Sequence, residues 1–239
     1  MILAAAVAAP AIAQEEDGGD ITQVYYLEVK PGHRDQFDDG WKAYWDCYRE
    51  NGGSRTWSAW VPVSGKLGGV MFRSSGHDWA DFDEEDTAGM ACDEVFGDVI
   101  RPHFGDVYSG FDETLPDVSR DTEDPVNLVL ALDFDVSDYG AAMEIIAAWY
   151  EALEAADWGK YVWVRLVTSS RGWDLALVLL NENFADMAPG DKSFRDIQIA
   201  HHGEEKAAEL GAKWRQTVKR SRSRMFRRNE TLSYSPEKD

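Results

Sequence analysis

Residues 25–37 read YYLEVKPGHRDQF. Tyr25, Leu27 and Val29 alternate with Tyr26, Glu28 and Lys30, the two-residue period of a half-buried strand. Pro31-Gly32 interrupts it, because proline has no N–H to give to a ladder and glycine accepts the backbone angles of a sharp turn. Beyond the turn the period changes. Phe37, Trp41, Tyr44, Trp45 and Tyr48 recur at helical spacing, which predicts an amphipathic helix over residues 33–50, closed by Asn51-Gly52-Gly53. A strand at 24–30, a tight turn and a helix open a compact α+β unit.

The same order of elements then runs through the chain twice. In the first pass the helix is followed by strands at 55–63 and 68–75, a helix over 90–108 carrying Cys92, Val95, Phe96, Val99, Ile100, His103 and Val107 on one side, and a short strand at FDETLPDV, 111–118. The second pass has a strand at 127–136, a helix over 139–156, strands at 161–170 and 174–182, a long helix through Phe194, Ile197, His201, Leu210, Trp214 and Val218, and a close at NETLSY, 229–234. A shared Glu-Thr-Leu ends both passes. The division expected is a leader over 1–21, a first half over 22–118, a polar linker over 119–126, a second half over 127–235 and a tail over 236–239.

Each half is βαββαβ, the ferredoxin-like unit, in which both helices cover one face of a four-stranded antiparallel sheet. Two such units in one chain hide their bare faces by closing on each other as an α+β barrel. YYLEVKPGHRDQF also resembles the opening strand, Pro-Gly turn and helix of the dimeric α+β barrel superfamily, which includes antibiotic-biosynthesis monooxygenase-like and NIPSNAP-like proteins. The second half carries DVSDYG where that pattern has Pro-Gly. The resemblance implies a small-molecule-binding barrel, a monooxygenase-like enzyme that needs no cofactor because the substrate itself is activated. It also brings a rival: chlorite dismutase-like proteins join two such halves and take haem on a helical histidine of the second, a part open to His201 or His202.

Composition narrows the partners. The chain has 239 residues, a net charge of −20 and ten Trp, nine Tyr and ten Phe, so it folds, and its charge repels nucleic acid and anionic membrane. The start, MILAAAVAAPAIAQEEDGGD, joins a short apolar run to Ala11-Ile12-Ala13, a small-x-small pattern typical of signal-peptide cleavage, and predicts export to the periplasm or beyond. Two cysteines, Cys47 and Cys92, suit an exported chain with one bridge. Cys92 falls on a buried stripe, whereas Cys47 lies about 100° from the centre of its helix's stripe, which leaves two free thiols as the alternative. Residues 213–228 hold eight Lys or Arg and no acid, and read as the basic end of the last helix, a complement to the acidic body or to a neighbouring subunit.

Alternation along the strands marks the cavity-facing positions. If Tyr25, Leu27 and Val29 meet the helices, Tyr26 and Glu28 point into the barrel. The same reasoning turns Asn127 and Asp133 inward, then Trp163 and Arg165, Ser58 and Trp60, and Arg73. The resulting cavity has aromatic walls and several polar groups, the usual make-up of a small-molecule pocket. Glu28 is either an acid or base there or the partner of Arg73 or Arg165, in a filled barrel whose charges cancel. A filled barrel would serve as a non-catalytic assembly module. Of five histidines, His103 falls on a core stripe and His33 at a solvated helix start. His77, in SSGHDWADFDEED, sits near a barrel mouth and is the candidate for proton transfer. His201 and His202 diverge by about 100° on one helix, so they do not share a metal. The acidic run 81–86 lacks the glycine and closing glutamate of a calcium loop, and no metal or other cofactor is expected outside the haem alternative.

Overall fold

The computed structural model describes residues 19–122, 125–168, 172–188 and 190–236; residues 1–18 of the expected leader and the last three tail residues lie outside them, and Ile21, expected in the leader, begins the first strand. In the first half, β1 (Ile21–Val29) leads through Pro31-Gly32 into α1 (Arg34–Glu50), β2 (Ser58–Pro62) and β3 (Gly69–His77). Short helical pieces follow, namely α2 (Thr87–Ala91), α3 (Asp93–Val95), a π-helical turn (Phe96–Ile100) and a 3₁₀ turn (Arg101–His103), and β4 (Phe104–Thr114) closes the half. The second half runs β5 (Leu128–Val136), α4 (Tyr139–Ala155), β6 (Tyr161–Leu166), β7 (Leu175–Asn181), α5 (Phe194–His202), α6 (Glu204–Thr217) and β8 (Val218–Arg228).

The eight strands form one closed antiparallel barrel in the order β1-β3-β2-β8-β5-β7-β6-β4. Each half supplies four consecutive strands. Two seams join them, β2 to β8 through Trp60↔Arg228 and Pro62↔Phe226, and β4 to β6 through Asp112↔Leu166 and Thr114↔Val164. Closure leaves no sheet edge unpaired, and it buries both bare faces.

Three cores follow from this layering. On the outside of the first sheet, Phe37, Trp41, Trp45 and Tyr48 of α1 pack on Leu27, Val70 and Phe72. Trp41 and Phe72 have ring centroids 4.3 Å apart. Gly40 is needed where α1 meets the following helical stretch, since a Cβ there would collide with the Val99 carbonyl. On the outside of the second sheet, Ile146 and Leu153 of α4 pack on Trp163, Leu175 and Ile197, with Phe134 and Trp214 against them. Between the sheets, Trp60, Val129, Ala131, Val164, Ala176, Val178 and Phe226 fill much of the barrel.

Three expectations need correction. The helix expected over 90–108 stops at His103, and its last five residues belong to β4, which starts seven residues before the strand expected at 111. Pro102 removes a helical donor, and the following residues alternate as a strand pairing with β1 from Val29↔Phe104 to Ile21↔Glu113. The basic helical end expected over 213–228 is helical only to Thr217; Val218–Arg228 is β8, central to the barrel's second half. Its Arg222, Arg224 and Phe226 face inward at period two, and Asp133 and Asp135 answer its charge. Finally, NETLSY does not close the second sheet. It crosses back, placing Leu232 and Tyr234 in the first outer core, with Trp57 and Tyr234 bridged through their backbones.

Candidate active site

A cavity of about 630 Å³ lies on the outer face of the first sheet, where β1 and β4 run beyond the cover of α1. Gln23 and Tyr25 of β1 and Ser109 and Phe111 of β4 form its floor, as cross-strand partners Gln23↔Phe111 and Tyr25↔Ser109. The second half provides the remaining wall: Val167 and Thr168, just after β6, donate their N–H groups to the Phe111 carbonyl, and the Phe111 N–H donates to Thr168 Oγ1 at 2.9 Å. Gly110 permits this approach, because any Cβ there would strike the Thr168 carbonyl.

Beside the floor stands an aromatic group that leads to a histidine. Phe111 contacts Phe82 and Trp79 with centroids 4.9 and 5.3 Å apart, and Phe82 meets the His77 ring edge-on at 5.2 Å. His77 Nε2 is 2.7 Å from the hydroxyl of Ser74, which is fully buried and pairs across the sheet with Gln23. On the other side of the ring, Nδ1 is 3.7 Å from an Asp81 carboxylate oxygen. That carboxylate favours the imidazole proton at Nδ1, which leaves Nε2 to accept from Ser74. Burial, helped by the Arg55 charge and opposed by Asp81, holds His77 below the usual histidine pKa, so it is a neutral base at neutral pH. Burial pushes the Tyr25 phenol up, against the Arg55 charge and the hydrogen bond from Gln23, donated by Nε2 at 2.9 Å. An uncharged base and a neutral phenol beside an aromatic floor suit removal of a proton from a flat, weakly acidic ring compound.

The other predicted residues separate into two groups. Tyr26, Ser58, Trp60, Arg73 and Asn127 share the inner face of the barrel. There Tyr26 lies 6.4 Å from Tyr108, the Ser58 hydroxyl accepts from Trp60 Nε1 at 3.0 Å, and Asn127 sits half-exposed at the rim next to Val129. Trp163 and Arg165 face the other way. The pairing Trp163↔Leu177 turns Trp163 toward Phe134 and Trp214, while Val162, Val164 and Leu166 enter the barrel. In YVWVRLV the aliphatic and the aromatic sets are both apolar, so alternation fixes two faces without saying which is inner. Arg165 pairs with Glu113 at the outer rim. Glu28 bonds to Lys66 at 2.6 Å instead of to Arg73 or Arg165. His33, expected in solvent, is half-buried, its Nδ1 2.9 Å from His103 Nδ1.

A second cavity, of about 1140 Å³, lies between β7 and the start of α5, lined by Leu130, Trp158, Leu179, Phe194 and Ile197 with Lys160 and Lys192 at its edge. Its size suits a haem, but its lining does not. Among the described residues no histidine, cysteine or tyrosine borders it; His201 is exposed at the far end of α5, and His202 Nε2 donates to the Ala148 carbonyl at 2.9 Å. Met187 is the one side chain in that lining of a type that ligates haem iron, and without a histidine beside it the residues present do not match the helical-histidine ligation of a chlorite dismutase-like haem. Among the described residues no cluster of three or more His, Cys, Asp or Glu is arranged to hold a metal ion, and no helix is long and apolar enough to cross a membrane.

No protein-family model matches the chain, and no curated protein is similar to it. Solved structures are. An anthrone oxidase-like protein is 10% identical with a TM-score of 0.57, covering 93% of this chain and 96% of its own. A "putative monooxygenase" from Lactobacillus acidophilus NCFM is 12% identical with a TM-score of 0.53, over 87% of this chain and 93% of that one. A mutant chlorite dismutase from Candidatus Nitrospira defluvii is 10% identical with a TM-score of 0.55, over 90% and 93%. At such identities the likeness is one of fold: two ferredoxin-like units closed into an α+β barrel.

Proposed function

We propose that this protein is an exported, small-molecule-binding α+β barrel that oxidises flat, weakly acidic ring compounds without a cofactor, in the manner of a monooxygenase. The observation that carries this reading is the half-buried His77, 2.7 Å from the hydroxyl of the buried Ser74, beside the Gln23, Tyr25 and Phe111 floor of the first outer cavity. The middle of the barrel, apolar and filled around Trp60 and Phe226, leaves a flat ring less room. The fold likeness to an anthrone oxidase-like protein and to monooxygenases supports the same class of reaction. Export rests on the leader-like start and on the Cys47–Cys92 disulfide, a bond that persists in oxidising compartments.

In this mechanism the substrate lies on Phe111 with its acidic C–H or O–H toward His77, and rotation of the Phe82 ring opens the way to the imidazole. The Ser74 hydroxyl turns away from Nε2, which then takes the proton, and Asp81 steadies the imidazolium that results. The substrate anion is then electron-rich enough to pass electrons to O₂. One oxygen atom remains on the ring carbon as a carbonyl and the other leaves as water, so the substrate is both electron donor and oxygen acceptor. Gln23 and Tyr25 orient the ring by hydrogen bonds to its polar edge.

The test is direct. Anthrone should quench the intrinsic tryptophan fluorescence saturably and consume oxygen in proportion to product. His77→Ala should keep binding and lose turnover by about 10²-fold or more, the usual weight of a positioned base. Turnover unchanged in His77→Ala, or no saturable binding of anthrone or 1-naphthol, would refute the reading.

A further inference from the structure

Among the described residues, the inner face of the barrel carries several charged side chains that the proposed reaction does not use, Arg73, Asp112, Asp133, Arg222 and Arg224 among them. Asp133, completely buried on β5, accepts from Arg222 Nε at 2.6 Å and from Arg224 Nε and a terminal nitrogen, both at 2.9 Å. That carboxylate is fully engaged. Arg73 of β3 and Asp112 of β4 face the same space from the first half, and Asp112 feels Arg73, Arg224 and Asp133 electrostatically. Among the described residues Arg73 makes no side-chain hydrogen bond, and its Nε is buried without a partner. A buried guanidinium N–H left unbonded costs about 1–3 kcal/mol, more for a charged group, which a bound acceptor would recover.

Charge and access point the same way. Three guanidinium groups face two carboxylates here, an excess of positive charge inside a chain whose net charge is −20. Arg222 and Arg224 keep 30% and 27% of their side chains exposed, and Ser75, next on the strand from Arg73 and Ser74, is exposed, so solvent reaches this mouth of the barrel. A cationic opening in an acidic surface focuses small anions.

We propose that this mouth is a binding site for a small monocarboxylate, held by the Arg73 guanidinium with the Asp112 carboxyl group beside it. A planar guanidinium matches a carboxylate with two parallel bonds, and Asp112 in its carboxylic-acid form completes the clamp. The surroundings allow that acid. Burial raises the Asp112 pKa, Asp133 from β5 adds to the rise, and Arg73 from β3 and Arg224 from β8 oppose it. Its cross-strand partners, Thr22 on β1 and Leu166 on β6, carry no charge. A second carboxylate beside Asp112 favours protonation further, so binding takes up a proton and weakens as pH rises. The site lies across the sheet from the His77 cavity and stands independently of the proposed oxidation.

Benzoate titrated by calorimetry at about pH 5.5 and about pH 8 tests it. Binding should be saturable and tighter at the lower pH. Arg73→Gln should weaken it about tenfold or more, and Arg73→Lys, which keeps the charge without the fork, should fall between. Asp112→Asn, whose amide donates at any pH, should retain binding and lose the pH dependence, while His77→Ala should leave both unchanged. Absence of saturable binding, unchanged affinity in a folded Arg73→Gln, or persistent pH dependence in Asp112→Asn would overturn the proposal.

Discussion

Reduction of the Cys47–Cys92 bond should weaken the protein by a predictable amount. The bond joins α1 to the residue between α2 and α3, across 45 residues of sequence, with the two Cα atoms 6.0 Å apart. It encloses β2 and β3, so in the unfolded chain it forbids a long loop from opening. Chain-entropy reasoning for a loop of that length assigns about 4 kcal/mol of stabilisation at room temperature, which for a chain of this size corresponds to a fall in Tm of about 8–16 °C. The assay is urea unfolding of the oxidised protein, of the same protein under a phosphine reductant, and of the Cys47→Ala/Cys92→Ala variant. The reduced protein and the variant should lose similar free energy, with a larger m-value because the unlinked denatured chain expands. A loss below about 1 kcal/mol in both would refute the reasoning, since this loop length cannot then govern the denatured state.

Further outcomes follow from other contacts. Asp133→Ala removes the acceptor of Arg222 and Arg224 and should cost about 3–5 kcal/mol by chemical unfolding, nearer the lower end because both arginines can reach water. Gly40→Ala should cost about 1–3 kcal/mol, because the new methyl forces α1 away from Val99. The depressed pKa of His77 makes the folded state resist a proton that the unfolded chain accepts below about 6.5. Its contribution is therefore fully present above that value and is lost as pH falls through the folded pKa; a His77→Gln variant should show a flatter stability profile over this window.

Much of the architecture is readable from alternation and helical spacing alone. YYLEVKPGHRDQF forms β1, its turn and the start of α1 within a few residues of the boundaries its pattern implies. The four central strands appear where their apolar runs do, and the closed barrel follows from two sheets with one bare face each. Reading fails where two periods fit the same residues. KRSRSRMFRR offers Ser221 and Met225 at helical spacing, yet its alternation of Arg222, Arg224 and Phe226 with Ser221, Ser223 and Met225 is the one that folds. Long-range partners decided that, since Asp133 and Asp135 on β5 can pair only with an extended neighbour. Gly203, with φ of 81°, divides α5 from α6 between His202 and Glu204, a break that a continuous apolar stripe conceals.

The candidate site was legible only in His77. Alternation makes Tyr25 a helix-facing residue, and it does face that way, but α1 does not extend over Gln23 and Phe111, so the opening lies outside the barrel. No local signal announces where a helix will fall short of a sheet. Ser74 would have required knowing that β3 continues to His77, which brings the hydroxyl and the imidazole to the same side.

The measurement closest to the central claim is where a small aromatic ligand sits. Isotope-labelled protein titrated with 1-naphthol should give intermolecular contacts to Tyr25, Phe111 and Thr168 and a shift of the His77 ring signals. Contacts confined to Trp158 and Phe194 in the second cavity, with His77 undisturbed, would contradict the account.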